Sequence, residues 1–378
     1  MSAGFLAQEA RLHEEAMART GLTDFGNPVY REGLRQLLAA YDANGIAYPD
    51  GGAPVLSQIS QRLAARLSSI DQIKRLAPDV PHVAAPLFIL GLPRTGTTAM
   101  QRLLMATPDL QGLAYWLGES PRPRPPRTEW EDDETFRQCR DGLAMVGEVA
   151  PMIDAMHPMR ADLGEECRLV MEQSFGHSSF SLVSPLRPYQ DWLFAANLEP
   201  HYRHFADVLR LIGSTSPAKP WVLKCPHHAP QVDSLLRAFP DARIVLMHRP
   251  VEDLVPSVAR LAEAFLGMVE GPSLDMTSRA QMIMDNLDLT LRRLLAVRAA
   301  HPERFLDIAM DGFVTDPLGC ARHIHAHFGL PLSAQTEAAM AAWQIGHAPH
   351  EARRGAPGAL PYGLNRDALR ERFSYYQG

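Results

Sequence analysis

Three basic residues stand where short apolar runs end. Arg94 follows Leu87-Phe-Ile-Leu90, Lys224 closes Trp221-Val-Leu-Lys224, and Arg249 follows Arg243-Ile-Val-Leu-Met-His248. Each run has the length and apolar continuity of a strand buried on both faces. In an open parallel sheet, ligands sit outside the carboxyl ends of the strands. Three cations at that edge suit a polyanion. Ser257 lies eight residues after Arg249 on the next expected helix. A guanidinium fork with a hydroxyl suits one phosphate group.

Around Arg94 the sequence reads as a strand, a tight turn and a helix start. Gly91, Pro93 and Gly96 break regular structure, and from Thr97 the spacing of Met100, Leu103 and Leu104 turns helical until Thr107-Pro108. A helix N-terminus behind a glycine turn gathers backbone N–H groups into an anion site. The Gly91-x4-Gly96 spacing is that of a Walker A loop, but Thr97-Thr98 stand where that loop carries Lys then Ser or Thr. The loop's fixed cation is Arg94 instead. With Thr95, Gly96, Thr97 and Thr98 it forms the expected anion cradle.

The elements that must hold these residues alternate between strand and helix. The pattern predicts strands at Leu87–Leu90, Gly112–Leu117, Trp221–Lys224, Arg243–His248 and Phe305–Ile308. Helices are expected after Thr97, from Pro230 to Phe239, over Val251–Leu266 and over about 278–300. Asp162-Leu-Gly-Glu165 reads as a helix cap with its reciprocal acid, opening a helix that contains Glu166, Val170 and Phe175. Tyr189–Trp192 reads as irregular and aromatic, and Pro49–Pro54 as a loop. The fold class is α/β: a P-loop-like core with a mainly parallel sheet flanked by helices. Residues 1–84 form an N-terminal helical extension, and 85–378 the α/β domain.

Composition narrows the partners. The 378 residues carry a net charge of −6, against the basic face of a nucleic-acid binder. A local pocket can still be positive on an acidic protein. The four cysteines are scattered with no C-x-x-C pair, which disfavours a disulfide framework or zinc cluster and fits a reducing cytoplasm. Residues 1–19 lack a signal-peptide core, and no apolar run reaches membrane-spanning length. His323-x-His325-x-His327 invites a metal reading, but on a helix only His323 and His327 share a face, with no acidic third ligand nearby.

The ordered motifs resemble a bacterial family of sulfotransferases that use 3′-phosphoadenosine 5′-phosphosulfate (PAPS). The resemblance rests on Leu92-Pro-Arg-Thr-Gly-Thr-Thr98, on the segment from His157-Pro-Met to Glu165-Glu-Cys167, and on Trp221-Val-Leu-Lys224 followed by His228. It continues through Phe239-Pro-Asp-Ala-Arg-Ile-Val245, Asp316-Pro-Leu318, His327-Phe-Gly-Leu330 and Arg370-Glu-Arg-Phe373. It implies transfer of a sulfuryl group from PAPS to a small-molecule acceptor's hydroxyl or amine, without metal. It gives the 5′-phosphosulfate to Arg94 and the loop, the 3′-phosphate to Arg249 and Ser257, and a second catalytic cation to Lys224. Arg353-Arg-Gly355 resembles the basic loop that closes over the nucleotide in these enzymes. For the general base the resemblance leaves Glu119, Glu166, His157 and His227 open. The acceptor pocket is expected to be partly apolar, and an oligomer is compatible with the chain. A P-loop nucleotide kinase or NTPase, and a non-catalytic nucleotide-binding protein of the same fold, are the competing readings.

Overall fold

The structure is a computed structural model that describes residues 4–46, 48–149, 158–182, 186–270, 275–346 and 360–376. These residues form two compact units. One comprises residues 1–83, 113–218 and 268–271; the other comprises 84–112, 219–267 and 272–378.

The second unit holds the sheet. Its strands are β1 (Leu87–Leu90), β2 (Gln111–Gly112), β3 (Trp221–Lys224), β4 (Arg243–His248) and β5 (Phe305–Ala309). They lie in the order β2-β3-β1-β4-β5, and every pairing is parallel. The apolar runs form central strands because helices can cover both faces. All four residues of β1 are fully buried. Leu87 and Ile89 face a cluster with Met100, Leu103 and Leu104 of the Thr97–Met105 helix, together with Val245 and Met247 of β4. Phe88 points the other way, its ring 5.5 Å from those of His228 and Phe239. A separate cluster joins Leu254, Val255 and Val258 of the Val251–Glu270 helix to Leu291, Leu369 and Phe373. The Met276–Ala300 helix starts where Asp275 accepts hydrogen bonds from the N–H groups of Thr277 and Ser278.

The first unit is helical among its described residues. Helices Glu9–Thr20, Tyr30–Ala43 and Ala53–Arg75 precede β1, as their spacing predicts. They share this unit with Arg187–Ala195 and Glu199–Ile212. No helix among the described residues is long and apolar enough to cross a membrane.

Four local expectations differ from the structure. The strand expected over 112–117 shrinks to Gln111–Gly112, and Tyr115–Glu119 is a helix. Ala114 instead bridges Gly164 antiparallel, and the Tyr115 and Trp116 N–H groups donate to the carbonyls of Leu163 and Ala161. Asp162 does not cap a helix; it accepts from Arg127 at 3.0 Å, and the helix starts later, at Arg168–Met171. Phe175 lies beyond that helix, with φ of 53°. Tyr189–Trp192 is helical because Tyr189 is buried and its hydroxyl donates to the Phe175 carbonyl at 2.7 Å. The loop at Pro49 is a short 3-10 turn, Pro49–Gly52, with Pro54 in the first turn of the following helix.

Candidate active site

β1 sits between β3 and β4, which follow it in the chain only after β2. That reversal of strand order opens a crevice at the carboxyl edge, and the glycine loop leaves β1 there. Gly91 has φ of 152°, and a Cβ on it would lie 2.7 Å from the Met247 carbonyl oxygen. The loop therefore passes too close to β4 for a side chain. Thr95 is buried, and its hydroxyl donates to the Leu92 carbonyl at 2.8 Å. Gly96, with φ of 85°, caps the Thr97–Met105 helix. The first N–H groups of an α-helix have no intrahelical acceptor, and the helix dipole adds positive potential. Thr97 is buried and Thr98 half-buried in this first turn.

Arg94 takes a left-handed φ of 73°, which costs a non-glycine residue about 1–3 kcal/mol. Such strain persists only where the surroundings hold it. Arg249 does so here: its Nη1 donates to the Arg94 carbonyl oxygen at 2.9 Å. Arg94 Nε in turn donates to Ser257 Oγ at 3.2 Å. The loop cation and both members of the Arg249–Ser257 pair thus meet in one cluster. Burial lowers the pKa of Arg94. For Arg249, burial is the largest lowering cause and the Arg94 charge adds to it; Asp253 and Asp311 oppose without reversing the direction. A bound anion would offset both costs.

Lys224 ends β3, is buried, and pairs in register with Ile89 of β1. His227 is half-buried in the Pro226–Gln231 turn that follows. The sequence missed Tyr376, whose hydroxyl accepts the Arg249 N–H at 3.3 Å and pairs with His248 Nδ1 at 3.0 Å. No periodicity links residues 127 positions apart.

Glu119 and Glu166 belong to the helical unit. Both Glu119 oxygens accept from Arg62, at 2.9 and 3.0 Å. Burial pushes the Glu119 pKa up, but Arg62 outweighs it and the net direction is down. Glu166 is half-buried, and its N–H donates to the Glu165 carboxylate at 2.9 Å. His157 and the Arg353-Arg-Gly355 segment lie outside the described residues.

The model of the Sulfotransferase family matches residues 86–334, which include β1, the loop, Lys224, Arg249 and Ser257. The chain belongs to the sulfotransferase family. Two solved sulfotransferases match it along nearly its whole length. Sulfotransferase STF1 from Mycobacterium tuberculosis H37Rv is 32% identical with a TM-score of 0.86, the match covering 99% of this chain and 100% of that one. Sulfotransferase STF9 from Mycobacterium avium is 28% identical with a TM-score of 0.88, covering 97% and 95%. No curated protein matches the chain. The expected α/β sulfotransferase fold with its N-terminal helices is therefore established.

Proposed function

We propose that this sulfotransferase moves the sulfuryl group of PAPS to the hydroxyl or amine of a small, partly apolar acceptor, in the cytoplasm and without a metal. The observation that carries the reading is the meeting of Arg94, Arg249 and Ser257 beside a helix N-terminus. Two anionic groups on one nucleotide match two contact sets. Backbone N–H groups of the loop, with Thr95, Gly96, Thr97 and Thr98, take the 5′-phosphate; Arg249 and Ser257 take the 3′-phosphate. The family resemblance also assigns Arg353, Arg354 and Gly355, which lie outside the described residues, to nucleotide binding.

In the transfer, the acceptor oxygen or nitrogen forms a bond to sulfur. The bond from sulfur to the bridging oxygen breaks, and the electron pair leaves with the 5′-phosphate. Negative charge grows on that bridging oxygen. Arg94 and Lys224 stabilise it, which lowers the barrier because the gain is larger in the transition state than in the bound substrate. The acceptor's proton passes to a base, for which Glu166, Glu119, His157 and His227 are the candidates. We favour Glu166 over Glu119, because the Arg62 ion pair holds down the proton affinity of Glu119.

Sulfur-labelled PAPS incubated with a panel of phenols, sterols, lipids and sugars tests the reading, in excess EDTA. The expected result is a labelled sulfate ester and one equivalent of adenosine 3′,5′-bisphosphate. A magnesium-dependent transfer of phosphate from ATP, with no turnover of PAPS, would replace it with a kinase.

A further inference from the structure

The Arg249 guanidinium can grip a phosphate only if its own peptide is held, and that peptide sits in a loop after β4. The contact at its amide comes from the far end of the chain. The Arg249 N–H donates to Tyr376 Oη at 3.3 Å. Tyr376 Oη and His248 Nδ1 are 3.0 Å apart, and His248 Nε2 lies 2.8 Å from Asp307 Oδ1. Asp307 also accepts from Arg298 Nε at 2.9 Å, and its pKa is lowered by the hydrogen bonds from Arg298 and His248, against burial. An ionised Asp307 can only accept, so His248 donates from Nε2. In the neutral imidazole Nδ1 is then an acceptor, and the Tyr376 hydroxyl donates to it. The tyrosine's lone pairs are left to the Arg249 amide. With a neutral imidazole, every hydrogen bond in this series has a fixed direction.

The tyrosine is itself anchored from the C-terminal helix, Arg366–Arg372. Arg372 donates to Asp285 and Asp288 at 2.8 and 3.0 Å, and Tyr375 donates to Asp288 at 2.6 Å. Leu369 and Phe373 are buried. Arg370 donates to Glu252 at 3.0 Å, one turn before Ser257 on the same helix.

We propose that Tyr376, oriented by His248 and Asp307, is a positioning residue for the 3′-phosphate site, fixing the Arg249 peptide so that the guanidinium meets the phosphate preorganised. This rests on the assignment of Arg249 to the 3′-phosphate. A bond that merely fastened the C-terminus would affect stability and leave ligand choice alone. A positioning bond affects ligands that carry a 3′-phosphate and spares those that lack it.

The test is calorimetry on the full chain with adenosine 3′,5′-bisphosphate and with adenosine 5′-phosphate. Tyr376→Phe removes one hydroxyl and keeps the ring. It should raise the dissociation constant of the bisphosphate about fivefold, the scale of one neutral hydrogen bond, and change that of the monophosphate less than about twofold. The KM for PAPS should rise by the same factor with kcat unchanged. His248→Asn, which frees the hydroxyl to turn, should give the same selective loss. In an Arg249→Ala background, adding Tyr376→Phe should have no further effect. Unchanged bisphosphate affinity in Tyr376→Phe, or equal losses for the two ligands, overturns the proposal. The underlying assignment is judged separately: if Arg249→Ala itself weakens both ligands equally, the 3′-phosphate reading fails first. If Arg249→Ala is selective and Tyr376→Phe is not, only the positioning role is lost.

Discussion

Two arginine clusters in this molecule carry opposite signatures. In the helical unit, Arg62 is almost fully buried and satisfied by carboxylates: Nε donates to Glu172 at 2.8 Å, and both Nη atoms donate to Glu119. Arg168 approaches Glu172 from another side at 3.4 Å, and Ser179 donates to the same carboxylate at 2.6 Å. Burial opposes the charge of both arginines, yet the carboxylates win and both pKa values are raised. In the sheet unit, Arg94 and Arg249 lie against each other, and both pKa values are lowered, by burial first. Two cations and two carboxylates in the first cluster neutralise each other. The second cluster adds positive charge to a helix N-terminus. The direction of the shift separates a cluster in which carboxylates outweigh burial from one in which Asp253 and Asp311 do not, which is the property we propose a bound anion uses.

That contrast is broken most severely by removing the centre of the balanced cluster. Arg62→Ala leaves Glu119 and Glu172 without their main cation, and Glu172 is buried. Urea unfolding should show a loss of about 3–5 kcal/mol. Arg94→Ala should change the same measurement by less than about 0.5 kcal/mol, because its removal relieves the repulsion of Arg249 and leaves no carboxylate buried without its cation. Its effect belongs to chemistry instead. Steady-state kinetics should show kcat lowered by about two to three orders of magnitude, with a smaller change in PAPS binding. Arg94→Lys should recover part of that rate, since charge returns without the planar fork.

A smaller effect should come with pH. The folded-state pKa of Glu119 lies below its ordinary value of 4.5. The ion pair's stabilisation is therefore complete above that value and is lost as pH falls through the lower folded-state pKa. Unfolding measured from pH 6 downward, on the order of the carboxylate range, should show a shallower acid slope in Glu119→Gln than in wild type. An unchanged slope would remove Glu119 from the balanced cluster.

The same comparison explains what the sequence reveals. The glycine loop is legible because its parts are local: a buried run, a glycine turn and a helix start within residues 87–105. β3, β4 and β5 are legible for the same reason, as continuous apolar runs of strand length. Arg249 and Ser257 are readable as a pair because only a strand end and the first turns of the next helix separate them. The Arg62 cluster has no such signal, since its partners lie 57 and 110 residues away. Tyr115–Glu119 misleads because a short apolar run fits either element, and the deciding partner is the backbone of Ala161–Gly164. Tyr376 is silent in sequence for want of any local pattern joining it to Arg249. Local geometry announces itself in the sequence; neutralisation across the fold does not.

The central proposal is that the sheet-unit cluster binds a nucleotide phosphorylated at both the 3′ and 5′ positions of its ribose. Calorimetric titration of wild-type protein and Arg249→Ala with adenosine 3′,5′-bisphosphate and adenosine 5′-phosphate tests it most directly. Wild type should bind one bisphosphate and prefer it to the monophosphate by about 1.5–3 kcal/mol, the scale of a charge-assisted contact, and Arg249→Ala should erase most of that preference. Equal affinity of wild type for the two nucleotides, or no binding of either, would contradict the account.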